Sequence, residues 1–225
     1  MAARSGRTAL RCRSVEKSVV GTPAGDARLT VQPAQDAWAT LVLGHGASGG
    51  IGARDLRALA AALPGEGVTV IRVEQPWLVV GRRVAPRPEI LDQAWLGALQ
   101  AVPAGVPLAV GGRSAGARVA CRTARTVGAR AVVALAFPLH PPGRPERSRL
   151  GELLGAGVPT LVVQGERDSF GRPDEFPQGT FELVAVAHAD HGMAVPRAHD
   201  QAGTLDRVVG TVRDWLGNAM AATRR

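Results

Sequence analysis

The stretch PLAVGGRSAGARVACR, Pro107–Arg122, carries the decision about the fold. Pro107–Val110 reads as a short apolar strand, and Ala115–Arg122 is a run of good helix formers that begins with no linker between. Where they meet, Gly112-Arg113-Ser114-Ala115-Gly116 spells G-x-S-x-G. Small residues two before and two after a serine let a strand and the following helix approach closely, and the sharp turn pushes the hydroxyl outward. Ser114 is therefore a candidate nucleophile at the carboxyl end of a strand.

Working outward, short apolar runs alternate with longer Ala- and Arg-rich amphipathic stretches from residue 39 onward. The runs are Ala39–Leu43, Val68–Val73, Pro107–Val110, Ala131–Ala136, Thr160–Val163 and Phe181–Ala187. Several are rich in Val and Leu without polar alternation, as parallel strands buried on both faces must be. Between them lie predicted helices at Ala53–Leu63, Glu89–Gln100, Ala115–Thr126, Arg147–Leu154 and Thr204–Leu216. Ahead of these, Val15–Val20 and Ala27–Val31 flank a Gly-Thr-Pro-Ala-Gly turn signal and read as an antiparallel pair. The prediction is an α/β fold: a mostly parallel central sheet, helices on both faces, and short antiparallel strands at the start. Function in such sheets gathers in the loops beyond the carboxyl ends of the strands.

A second G-x-S-x-G, Gly46-Ala47-Ser48-Gly49-Gly50, follows the run Ala39–Leu43. Ser48 is a poor nucleophile candidate because Gly49, Gly50 and Gly52 disfavour immediate helix initiation. A glycine-rich turn after a strand suits a different role, that of presenting backbone N–H groups to a developing oxyanion. One donor would be the amide of Ala115, directly after the nucleophile, and the other would come from near Ala47. Gly44–Gly49 also matches G-x-G-x-x-G, with Glu74 at the end of the next run, which imitates a dinucleotide-binding fingerprint. That oxidoreductase reading leaves the downstream acid and histidine unexplained. The chain also has no Tyr for the Tyr-Lys proton-transfer pair of many such short enzymes, and its one lysine, Lys17, is badly placed.

A serine needs a base within hydrogen-bond reach and a third group that fixes the base's tautomer. At strand-turn-helix serine sites these follow in the order serine, acid, histidine. Thr160–Val163 opens into Gln164-Gly165-Glu166-Arg167-Asp168-Ser169-Phe170, and Phe181–Ala187 opens into His188-Ala189-Asp190-His191-Gly192. Asp168 is the preferred acid, with Glu166 as competitor. His191 is the preferred base, with His188 as competitor, because His191 sits in the turn past the strand. Asp190 is suited to local hydrogen bonding in that turn, and His45 to holding the glycine-rich loop.

With these residues in place, the chain resembles the α/β-hydrolase superfamily, and within it the compact dienelactone-hydrolase-like branch. The resemblance runs from about residue 15 to 217 and is carried by LVLGHGASGG, VEQPW, GGRSAGARVA, FPLHPPGRPE, VVQGERDSFG and HADHGM. The chain is also similar to a group of short hydrolase-like proteins of bacteria and, distantly, animals, some without established activity. The resemblance implies Ser114, Asp168 and His191 as a triad, with the Ala47 and Ala115 amides as oxyanion donors. Many relatives insert a sizeable cap after the sixth strand, where this chain has only Phe137–Arg147. A small or exposed substrate is the expectation. Trp77, Arg113 and His140 are candidate pocket residues, and Arg113 with Arg144 suggests tolerance for anionic substrates. No metal or organic cofactor is called for. A noncatalytic, hydrolase-like binding or scaffold protein is the reading from a different functional class.

Composition narrows the partners. The chain has 225 residues, 45% hydrophobic and 20% charged, which suits one soluble domain. No apolar run approaches the roughly 18 residues of a membrane span, and the first 13 residues contain no block resembling a secretory signal. Cytoplasmic localisation is the expectation. The formal charge of +8 is almost wholly arginine, spread along the chain, and aromatic residues are 4%, so neither a basic stripe nor stacking platforms for nucleic acid are expected. A small-molecule substrate, and neither nucleic acid nor membrane, is the expected partner; nothing in the sequence speaks to oligomeric state. Arg4, Arg7, Arg11 and Arg13 precede the first acid, Glu16, so residues 1–13 read as a disordered basic tail and 14–225 as the domain. Cys12 and Cys121 have neither disulfide-framework nor metal-site spacing, and Cys121 reads as a small buried helix residue.

Overall fold

The computed structural model describes residues 14–222; the basic tail expected at 1–13 lies outside the described residues. Strands β1 (Glu16–Thr22) and β2 (Gly25–Gln32) form an antiparallel hairpin. They are followed by β3 (Ala39–Gly44), α1 (Arg54–Ala62), β4 (Val68–Glu74), α2 (Pro76–Val79) and α3 (Pro88–Leu99). Then come β5 (Leu108–Arg113), α4 (Ala115–Thr123), β6 (Ala131–Leu135), α5 (Leu150–Leu154), β7 (Thr160–Gly165), β8 (Glu182–Val186) and α6 (Gln201–Ala222). The strands make one eight-stranded sheet in the order β1-β2-β4-β3-β5-β6-β7-β8, parallel from β4 to β8.

Each central strand feeds two cores, because successive side chains point to opposite faces. From β3, Leu41 and Leu43 go one way and Val42 the other; from β7, Leu161 and Val163 part from Val162. On the first face α1 contributes Leu56, Leu59 and Ala60, and α6 contributes Val208, Val212 and Leu216, all at helical spacing. On the second face α3 brings the fully buried Trp95, and α4 brings Ala117, Val119 and Ala120. Burying each Leu or Val on these faces is worth about 1.5–3 kcal/mol relative to leaving it exposed. Cys121 of α4 belongs to the second core, and burial pushes its thiol pKa up to about 12, so it behaves as an apolar residue and not as a nucleophile.

Part of the arginine charge is taken up by local pairing. Arg122 forks onto Asp92 of α3 at 2.6 and 2.8 Å and reaches Glu152 of α5 at 2.6 Å, while Arg118 holds the same Glu152 at 2.5 and 2.8 Å. Guanidinium geometry suits such bidentate bridging, and here it staples α3, α4 and α5 together.

Besides shifts of one to three residues at other element ends, the observed elements depart from the sequence expectations as follows. α6 runs from 201 to 222, longer than Thr204–Leu216, because the side chain of Thr204 donates back to the Asp200 carbonyl and no proline ends the helix. α5 is one short turn, since Arg147 lies in a chain of tight turns after the prolines. α2, started by Pro76, is too short to show hydrophobic periodicity. β8 is an edge strand with Glu182 and Ala185 exposed, which trims the expected Phe181–Ala187.

Candidate active site

The site is built at the carboxyl edge of the sheet from the turns that follow β3, β5, β7 and β8. After β5 the chain turns into α4 through Ser114, whose backbone sits at φ 54° and ψ −116°, a conformation side-chain-bearing residues rarely take. The turn closes only because its neighbours are glycines. A Cβ on Gly112 would stand 2.4 Å from the Gly44 carbonyl oxygen, and one on Gly116 would stand 2.4 Å from the Gly44 carbonyl carbon. Strand β3 and helix α4 therefore meet backbone to backbone beneath the serine.

Ser114 Oγ lies 3.0 Å from His191 Nε2. On the other side of the ring, His191 Nδ1 is 2.9 and 2.8 Å from the two oxygens of Asp168. A carboxylate accepts only, so Nδ1 carries the proton and Nε2 is left to accept from the serine hydroxyl. The three side chains singled out from the sequence are thus one hydrogen-bonded line. Glu166 is turned elsewhere and accepts from the His188 amide at 2.8 Å. His188, at φ 61°, stacks on His199 with ring centres 3.9 Å apart.

Each member is held by its turn. Asp168, 1% exposed, also accepts from the Phe170 amide at 2.8 Å and from Gln164 Nε2 at 2.9 Å. The turn carrying His191 is tied by Asp190, whose side chain accepts from the Gly192 and Ala194 amides at 2.7 and 2.9 Å. The Phe170 ring packs on the imidazole of His191, centre to centre 4.2 Å. Gln164 and Phe170 were not singled out by the sequence reading. Both flank Asp168 in the turn after β7, but nothing in their spacing says that one will reach the acid and the other the base.

Ala47 and Ala115 line one small cavity together with Gly46, Trp77 and Trp95. Among the described residues, neither amide donates to a backbone carbonyl. Two N–H groups that line one cavity at the serine turn are of the kind that can receive an oxyanion. His45 shapes this loop: its Nδ1–H donates to the Gly46 carbonyl at 2.7 Å and its Nε2 accepts from the Gln75 amide at 3.0 Å. Burial holds the His45 pKa below its ordinary value, in keeping with a neutral ring. Ser48 is exposed, and left-handed Gly49 and Gly50 follow it, with α1 beginning only at Arg54. The Gly44–Gly49 loop therefore leads into a single 3-10 turn, Gly50–Gly52, and not directly into the α-helix that a dinucleotide site requires, and Glu74 is paired with Arg28 at 2.7 Å.

The three candidate pocket residues separate. Trp77 stands in the cavity with Ala47 and Ala115. His140 lies in a different cleft, of about 520 Å³, shared with Arg167, Asp168, Ser169 and Glu175 but not lined by Ser114 or His191. Its two ring nitrogens face the Pro141 carbonyl and the Glu175 carboxylate at 2.9 and 2.8 Å, and the Pro141 carbonyl leads in raising its pKa. Arg113 corrects the expectation most clearly. It is 7% exposed and its guanidinium points under the site, to Asp55 and to the His191 carbonyl, because β5 alternation sends its side chain opposite to the pocket-facing serine turn. Two of its donors are thus committed to the protein itself.

A family model described as an α/β-hydrolase domain matches residues 37–217. No curated protein matches the sequence. Among solved structures, the chain is similar to a lidless α/β serine hydrolase from Xanthomonas campestris, at 19% identity and TM-score 0.70 over 90% of this chain and 95% of that one. It is similar to a dienelactone hydrolase from Anabaena variabilis, at 16% identity and TM-score 0.70 over 91% and 97%. A malate-bound thermophilic esterase from Thermogutta terrifontis gives 16% identity and TM-score 0.65 over 91% and 99%. At such identities the likeness is one of fold. Among the described residues, no helix is long and apolar enough to cross a membrane.

Proposed function

The chain belongs to the α/β-hydrolase family, and from that premise we propose that it is a serine hydrolase acting on a small ester, thioester or related carbonyl compound. The observation that carries this reading is the line Asp168–His191–Ser114, with contacts of 2.8 and 3.0 Å. His191 takes the hydroxyl proton as Ser114 Oγ attacks the carbonyl carbon. The oxyanion forms against the amides of Ala47 and Ala115, which line one cavity. The imidazolium, held by Asp168, returns its proton to the leaving group, and water then releases the acyl-enzyme by the same steps.

What stands over the site supports this substrate class. Only residues 136–149 separate β6 from α5, and they are folded down by the bonds from Arg149 N to the Leu139 carbonyl and from Arg149 Nη1 to the Pro138 carbonyl. With no cap over Ser114 among the described residues, a long acyl chain has nothing there to bury it, and a short acyl group against Trp77 is favoured.

The test is a fluorophosphonate probe on wild type and Ser114→Ala, with hydrolysis of a small activated ester in parallel. Labelling is expected in wild type and absent in Ser114→Ala, with esterase activity down on the order of 10³-fold or more. Asp168→Asn is expected to be severe as well, since it disturbs the tautomer His191 needs. Ser48→Ala leaves the loop amides in place and is expected to cost little. Labelling that survives Ser114→Ala, or that appears at Ser48, overturns the assignment. A wild type silent to the probe and to a broad ester and thioester panel turns the reading to a noncatalytic binding protein.

A further inference from the structure

Beneath the serine turn lies a buried charge pair that the mechanism does not use. Arg113 Nε donates to Asp55 Oδ2 at 3.0 Å, and both side chains are withdrawn from water, 8% and 0% exposed. Asp55 sits in the first turn of α1, where the helix dipole favours an anion, and its other oxygen accepts from the Leu56 amide at 2.8 Å. A buried ion pair is a poor stabiliser, because the desolvation of both charges roughly cancels their attraction. Its use must be sought in what it holds in place. The second donor on the same edge of the guanidinium, Nη2, goes to the backbone carbonyl of His191. That is the only hydrogen bond this carbonyl accepts among the described residues. The guanidinium therefore joins α1, the end of β5 and the turn carrying His191, one residue before Ser114 in the chain.

We infer that Arg113, held in place by Asp55, is a positioning residue: it anchors the backbone of His191 to the serine turn and so sets the approach of Nε2 to Ser114 Oγ before substrate arrives. Two features favour this over simple packing. The residue's own backbone leads directly into Ser114, so the bond ties the backbone of the base to the residue next to the nucleophile. Only a planar fork serves Asp55 and the His191 carbonyl from one edge, and a lysine ammonium on a flexible stem does not. The inference rests on the reading of His191 as base, and the test separates the two.

The informative variant is Arg113→Met with Asp55→Leu, which removes both charges together and leaves no unpaired carboxylate, so that the fold survives where either single change would bury a lone charge. Three quantities are measured on it and on wild type: melting temperature, kcat and KM for a small activated ester, and the low-field proton resonance of His191 Nδ1–H bonded to Asp168. The double variant is expected to melt near wild type, to lose about 10²-fold in kcat with KM changed less than about twofold, and to broaden or lose the resonance, since misplacement by ~1 Å costs about that much. Arg113→Lys is expected to recover little of the loss. Wild-type kcat and an unchanged resonance in a folded double variant overturn the inference. If wild type turns nothing over but its resonance is present and is lost in the variant, the anchor stands and the hydrolase reading falls. If wild type is inactive and the resonance survives the variant, both fall.

Discussion

Replacing Gly116 by alanine tests the closest contact in the site, the one on which the serine turn depends. The added Cβ would meet the Gly44 carbonyl carbon and oxygen at 2.4 Å and the His45 nitrogen at 2.9 Å. Nonbonded carbon atoms sit comfortably at roughly 3.5 Å, so β3 and α4 must separate by about 1 Å. Both sides of the contact are backbone, so no side chain can rotate away, and the cost belongs at the upper end of overpacking, about 3 kcal/mol. For a chain of this size that is a fall of about 6–12 °C in melting temperature. The same separation moves Ala47 relative to Ala115, and a displacement of ~1 Å in the donors is expected to lower kcat/KM by about 10²-fold. Gly210→Ala is the control. It sits inside α6 with nothing within 4 Å of its added Cβ, so better helix propensity raises stability by about 1 kcal/mol and leaves activity alone. Calorimetry and small-ester hydrolysis on both variants decide the matter. Wild-type melting and kcat/KM for Gly116→Ala would refute the apposition of Gly44 and Gly116 that places the nucleophile.

Two other substitutions probe the site's surroundings. Phe170→Leu keeps bulk over His191 but removes the aromatic face that packs against the imidazole at 4.2 Å; an imidazolium loses about 1 kcal/mol of cation–π attraction, so kcat should fall about fivefold, and unchanged kcat would dismiss the contact. His45 is buried with a pKa below its ordinary value, chiefly from desolvation. Its neutral ring therefore contributes stability that is fully present above the unfolded-state value of about 6.5 and is lost as pH falls through the folded-state pKa. Melting temperature should fall more steeply on acidification in wild type than in His45→Gln, and parallel slopes between pH 7 and 4 would contradict the assignment of His45 as a neutral clasp.

How far the site was legible in the sequence depends on whether a residue's role is written along the chain or across it. Ser114, Asp168 and His191 each lie just beyond an apolar run, and parallel strands bring the ends of such runs to one edge whatever their separation in sequence. The order of elements was therefore enough to bring together residues 54 and 23 positions apart. The turn chemistry was legible for the same reason: Gly112 and Gly116 mark a close approach that only glycine permits. Arg113 was not legible. Its neighbours suggested a charge beside the nucleophile, facing substrate, yet strand alternation sends successive side chains to opposite faces, so the residue adjacent to an outward serine turns inward. Reading it as an anion binder required ignoring that alternation at the one place where β5 gives way to the turn. Asp55 was beyond reach as well, because a carboxylate in the first turn of a helix is ordinarily a solvated cap, and only the tertiary arrangement shows that this one is wholly buried against a guanidinium. The geometry then assigns much of the residue to the site's own construction: one nitrogen of the guanidinium satisfies a buried aspartate and another holds the backbone of the base.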